Sequence, residues 1–123
     1  MREIREQDTS LLKSASPKQW RRAVSPATSA TMRDAMVNVV ENGTASRLAI
    51  GGFVVGGKTG TAELGTDPPS SHAWIIGFAG PPGQAATVAV AVIVEAQPGA
   101  DEQTGGRVAA PIAQAVLQAA LAR

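Results

Sequence analysis

Apolar residues recur along this chain in two rhythms, one of three to four residues and one of two. Met32, Ala35, Met36, Val39 and Val40 fall at i, i+3, i+4, i+7 and i+8, which is one face of an α-helix. Arg33, Asp34, Asn38 and Glu41 fall mostly on the other face. Ser25-Pro26 supplies a start: a capping hydroxyl, then a proline whose missing N–H costs nothing in the first turn. The spacing predicts a helix from Pro26 to about Glu41, closed after Asn42 by Gly43 in the left-handed conformation.

The second rhythm follows. Phe53-Val54-Val55 runs into Gly56-Gly57 and Lys58-Thr59-Gly60-Thr61, a strand that glycine strips of side chains. Gly65 to Ser71 reads as a loop, His72 to Phe78 as a second strand, and Gly80-Pro81-Pro82-Gly83 as a turn. Thr87 to Val94 is a third strand, with Val88, Val90, Val92 and Val94 on one face and Ala89, Ala91 and Ile93 on the other. Both faces are apolar, which predicts burial on both sides in the middle of a sheet. Short loops between the strands predict an antiparallel meander. After a loop from Gln97 to Gly106, an alanine-rich helix spans Val108 to Leu121, its core face drawn through Val108, Ile112, Ala115, Val116 and Ala119. Pro111 fits only a first turn, which moves the start toward Ala109. The expected fold class is α+β over 25–123: helix, three-stranded antiparallel meander, terminal helix. Residues 1–24 form a polar lead-in, with a short hairpin around Asp8-Thr9-Ser10 and a break at Pro17.

Composition narrows the function. A chain of 123 residues holds one small domain. With four aromatic residues, two Trp and two Phe, its core must be aliphatic. A net charge of +1 gives phosphate nothing to seek, so no nucleic-acid partner is expected. The absence of Cys excludes disulfides and thiolate metal sites. Glu63, Asp67, Asp101 and Glu102 lack metal-ligand spacing, so neither metal nor other cofactor is expected. No run approaches the roughly 18 apolar residues of a membrane span. Met1-Arg2-Glu3-Ile4-Arg5-Glu6 is too charged for a signal peptide, so no targeting segment is expected here.

The chemistry concentrates in Gly56-Gly57-Lys58-Thr59-Gly60-Thr61-Ala62-Glu63. One ammonium and two hydroxyls sit on a strand whose glycines let a ligand approach the backbone. Thr59 and Thr61, two apart, share a face. This suits a substrate carboxylate and an extended peptide alongside, with backbone N–H groups for a developing oxyanion. Lys58-Thr59-Gly60 resembles the third signature of the serine acyltransferases that include penicillin-binding proteins and serine β-lactamases. The longer Lys58-Thr59-Gly60-Thr61-Ala62-Glu63, the Val39-Val40-Glu41-Asn42-Gly43-Thr44-Ala45 helix end and His72-Ala73-Trp74-Ile75-Ile76-Gly77-Phe78-Ala79 resemble class B penicillin-binding proteins, of actinobacterial and mycobacterial type. The resemblance covers about residues 20–121.

It implies the C-terminal half of a penicillin-binding protein/β-lactamase-like fold, from a D,D-transpeptidase that cross-links peptidoglycan stem peptides through an acyl-serine and is acylated by β-lactams. It implies roles for Lys58 (contact with the second-motif serine), Thr59 and Thr61 (carboxylate), Gly60 within the binding strand, and the Thr61 backbone N–H (half the oxyanion hole). It also implies a central place for the valine strand, and a parent protein anchored to the bacterial inner membrane with this domain outside the cytoplasm. The family's Ser-x-x-Lys and Ser-x-Asn lie far upstream of the signature. Here the one literal Ser-x-x-Lys is Ser10-Leu11-Leu12-Lys13, in a polar stretch, and no Ser-x-Asn occurs. The expectation is a chain without a nucleophile, inactive alone and needing the N-terminal half of the same domain. The alternative is a non-catalytic transpeptidase-like binding module; the Thr61-Ala62-Glu63 extension argues against a β-lactamase or carboxypeptidase. His72, a lone histidine, reads as a strand-end structural residue, and Trp74 and Phe78, four apart, as core packing.

Overall fold

Ser25 opens the first long helix as its sequence predicts. Its Oγ accepts the Thr28 N–H at 3.1 Å, Pro26 occupies the first turn, and α1 runs Pro26–Asn42. The computed structural model describes residues 3–14, 16, 21–67, 69–97 and 103–122. Gly43 ends α1 by another route than the one expected: its backbone is extended, with φ −128°. What demands glycine there is crowding, because a Cβ would lie 2.9 Å from the Val39 carbonyl oxygen that receives the Gly43 N–H. The predicted apolar face of α1 is covered only in part. Val40 is buried and Val39 packs against the core, whereas Met32 and Ala35 are exposed. α1 meets the sheet along its outer strand alone, so only a narrow stripe of the helix is covered.

The lead-in hairpin forms, with β1 (Glu3–Arg5) antiparallel to β2 (Leu11–Ser14) around a turn in which Thr9 takes a φ of 69°. The break expected at Pro17 lies outside the described residues. After α1 the chain makes a 3₁₀ turn over Ser46–Leu48. It then forms β3 (Val54–Glu63), β4 (Ser71–Gly80) and β5 (Val88–Val94), an antiparallel sheet in the order β3-β4-β5. Thr59 pairs with Ile75 and Ile75 with Val92, which fixes the register. The fold is α+β, as expected.

The period-2 alternation then sorts side chains between two unlike faces. Val55, Ala73, Ile75, Ala79 and the valines of β5 face the core. Trp74, Ile76 and Ile93 face the other way and stay 41%, 49% and 43% exposed. The valine strand is therefore not doubly buried: β4 is central, and β5 is an edge among the described residues, with Ala89, Ala91 and Ile93 open.

The terminal helix also corrects its sequence reading. Gly105–Ala109 forms a π turn, in which the Ala110 N–H reaches the Gly105 carbonyl, and α2 follows over Ala110–Leu121. The wider turn shifts the phase assumed from a single 3.6-residue period. Ala109, Ala110, Ala113 and Leu117 point inward, fully buried, while Ile112 and Val116 are exposed. Alanine at three of these positions lets α2 lie close on β5. Leu117→Ala is expected to cost about 2–5 kcal/mol in urea unfolding, and Ile112→Ala less than about 0.5 kcal/mol. Equal losses would restore the face drawn from periodicity.

Candidate functional site

β3 is built to be approached. A Cβ on Gly56 would enter the Phe78 ring, and one on Gly57 would strike Leu48 Cδ1. These glycines keep the strand flat against its neighbours. Beyond them the alternation divides the polar residues. Lys58 pairs with Ile76 and shares the exposed sheet face, its Nζ donating to the Thr59 carbonyl at 2.7 Å. Thr59 and Thr61 pair with Ile75 and Ala73 and take the opposite face, together, as expected.

On the threonine side, three segments enclose a cavity of about 440 Å³. They are the turn after α1 with Thr44 and Arg47, the strand with Thr59 and Thr61, and the start of the π turn with Thr104 and Arg107. Lys58 is not part of this wall. Thr44 and Thr59 share a hydrogen bond, Oγ1 to Oγ1, at 2.7 Å. The π turn comes this close because it begins with glycines. A Cβ on Gly105 would collide with the Trp74 carbonyl oxygen, and one on Gly106 with the Thr44 carbonyl oxygen.

Arg47 ties two of the segments together. Its Nη1 donates to the Arg107 carbonyl at 3.1 Å. That carbonyl lacks an α-helical partner because residue 111, four positions on, is proline and has no N–H to offer. Gln114 adds a second tie, Nε2 to the Ala49 carbonyl at 2.6 Å. The wall residues Thr44, Arg47, Thr104 and Arg107 were not singled out from sequence. The legible signal was Gly105-Gly106-Arg107 with a proline four residues after the arginine.

The remaining candidates separate cleanly. His72 Nδ1 accepts the Ala96 N–H at 2.9 Å, tying the start of β4 to the end of β5, a structural role. Phe78 packs over Gly56, but Trp74 on the same face lies open. Glu63 and Asp67 are exposed; Asp101 and Glu102 lie outside the described residues. Among the described residues no cluster of His, Cys, Asp or Glu could hold a metal, and no helix is long and apolar enough to cross a membrane. Ser10 sits at the hairpin turn, where its Oγ and N–H donate to Asp8 Oδ1 at 2.6 and 2.9 Å. The Ser10 hydroxyl, and secondarily its N–H, hold the Asp8 carboxyl below its ordinary pKa. Lys13 is on the returning strand, so Ser10 and Lys13 do not share a helical face.

Residues 2–118 match the penicillin binding protein transpeptidase domain, and the chain belongs to that family. It is 47% identical over 116 residues to the peptidoglycan D,D-transpeptidase PbpA of Mycolicibacterium smegmatis, which is 93% of this chain and 23% of that relative. The PbpA of Mycobacterium tuberculosis H37Rv is 51% identical over 107 residues, 84% of this chain and 21% of the relative. Among solved structures, the ceftriaxone acyl-enzyme complex of M. tuberculosis penicillin-binding protein A superposes with a TM-score of 0.74 at 43% identity, covering 98% of this chain and 27% of that one. The D,D-transpeptidase domain of an Eggerthella lenta peptidoglycan glycosyltransferase gives 0.75 at 35% identity, over 98% of this chain and 26% of that one. The chain thus spans about a quarter of the relatives it matches.

The groove depends on the glycine contact. Gly105→Ala is expected to lower stability by about 1–3 kcal/mol through overpacking, read as a fall in Tm. Unchanged stability would show that the π turn does not rest on Trp74.

Proposed function

We propose that this chain supplies the substrate-binding strand and carboxylate pocket of a peptidoglycan D,D-transpeptidase, which joins stem peptides through an acyl-serine and is acylated by β-lactams. The observation that carries the reading is the glycine-cleared strand whose Thr59 and Thr61 line an open polar cavity. The M. tuberculosis relative, captured as a ceftriaxone acyl-enzyme, supports it.

In this reading an extended stem peptide lies along the edge of β3 that β4 does not use. Its terminal carboxylate meets the hydroxyls of Thr59 and Thr61. A serine oxygen attacks the penultimate D-alanyl carbonyl, and the carbonyl π electrons move onto oxygen. The Thr61 backbone N–H offsets that charge where it develops. Collapse expels D-alanine, whose nitrogen takes up a proton, and leaves the acyl ester. An amine on a neighbouring strand then attacks the ester and releases the serine. Lys58, on the other face, positions the serine of the second motif. Both serines belong to the remainder of such a domain, for which the face bearing Trp74, Ile76 and Ile93 is a suitable bed. The parent enzyme works outside the cytoplasm, anchored at the inner membrane, without cofactor or metal.

Intact-mass spectrometry of the full-length protein carrying this segment, after incubation with benzylpenicillin, tests the reading. One adduct per chain is expected. Thr59→Ala and Thr61→Ala each slow its formation about 10–100-fold, while Ser10→Ala leaves it unchanged. An adduct lost in Ser10→Ala, or none in the wild type, overturns the reading.

A further inference from the structure

Two guanidinium groups face the same cavity as Thr59 and Thr61, and they come from segments far apart in the chain. Arg47 leaves the 3₁₀ turn and Arg107 the π turn, and both line the groove. Neither has an ion-pair partner among the described residues, and none of the described lining residues is a carboxylate. Arg47 gives one N–H to the Arg107 carbonyl, which fixes the guanidinium at the rim and leaves its other donors for a ligand. Two like charges held at one concavity repel each other, and an anion between them removes that repulsion. Lys58 does not share the task, because the strand alternation sends it to the opposite face.

We propose that Arg47 and Arg107 form a two-armed subsite that makes a free terminal carboxylate on the acyl donor a condition of productive binding. The proposal rests on the transpeptidase reading above and adds to it the residues that set this selectivity. The ligand chemistry follows from the surroundings. A planar carboxylate matches the guanidinium fork, and hydroxyls from Thr44, Thr59, Thr61 and Thr104 surround it. A polyanion is disfavoured: the chain carries a net charge of only +1. Selectivity arises because a donor ending in an ester or amide leaves both guanidiniums without a counter-charge, whereas a carboxylate answers both.

The test uses the full-length protein carrying this segment, and compares acylation by benzylpenicillin with acylation by its methyl ester. The readout is the ratio of the two second-order rate constants. Arg107→Gln is the cleaner variant, since the Arg47 bond uses the Arg107 backbone carbonyl and survives the change. It is expected to shrink the carboxylate preference about tenfold, and Arg47→Gln with Arg107→Gln to shrink it further. Arg47→Lys with Arg107→Lys, which keeps the charge and loses the fork, restores part of it. Rates that fall in parallel for acid and ester, or a ratio that does not move, overturn the proposal. Isothermal titration with N-acetyl-D-alanyl-D-alanine and its C-terminal amide needs no nucleophile. A wild type without a penicillin adduct therefore retires the transpeptidase reading, while the titration still decides the arginines: equal affinity for acid and amide counts against them.

Discussion

At Gly105 backbone lies directly on backbone, and the groove owes its shape to that contact. The π turn presses against the carbonyl of Trp74 in the central strand, close enough that no side chain fits between. Gly106 does the same against Thr44, at the turn that ends α1. Three segments are thereby drawn to one place, although 60 positions separate Arg47 from Arg107. Glycine costs conformational entropy wherever it is held, and here the return is closeness: a polar cavity bordered by main chain.

The same economy of side chains governs the sheet. Alanines on α2 and valines on β5 make a thin, close-packed layer in which Leu48, Ile75 and Leu117 are the largest fully buried side chains. The opposite face is broader in residue type and uncovered. One strand, β3, serves both: Lys58 emerges on the open face and Thr59 and Thr61 on the groove side. A catalytic strand that must address two different partners gains this division from the pleat alone.

Much of this was legible in the sequence, where a local rule governed the outcome. Ser25-Pro26 fixed the start of α1, and Gly80-Pro81-Pro82-Gly83 set the turn between β4 and β5. The paired faces of Thr59 and Thr61 followed from spacing. What escaped depended on long-range contact. Periodicity marked Ile112 and Val116 for the core, but one residue of extra turn in the π segment rotated them outward. The apolar second face of β5 reads identically whether a strand is central or stands at an edge. Gly43 suggested left-handed backbone, the commoner reason for glycine at a helix end, when the reason was a carbonyl close by. The arginines of the groove have no periodicity at all, and only the fold brings them together.

Pro111 touches nothing in the groove wall and yet has a hold on it. By withholding one N–H it leaves the Arg107 carbonyl open, and Arg47 moors there. Any other residue at 111 would offer that N–H back to the helix and set it in competition with the guanidinium. Sequence drift on the outer surface of a terminal helix thus has a route to the reach of a side chain one full turn away. Homologues that differ at this single position would differ in how firmly one arm of the groove is held, with every wall residue the same.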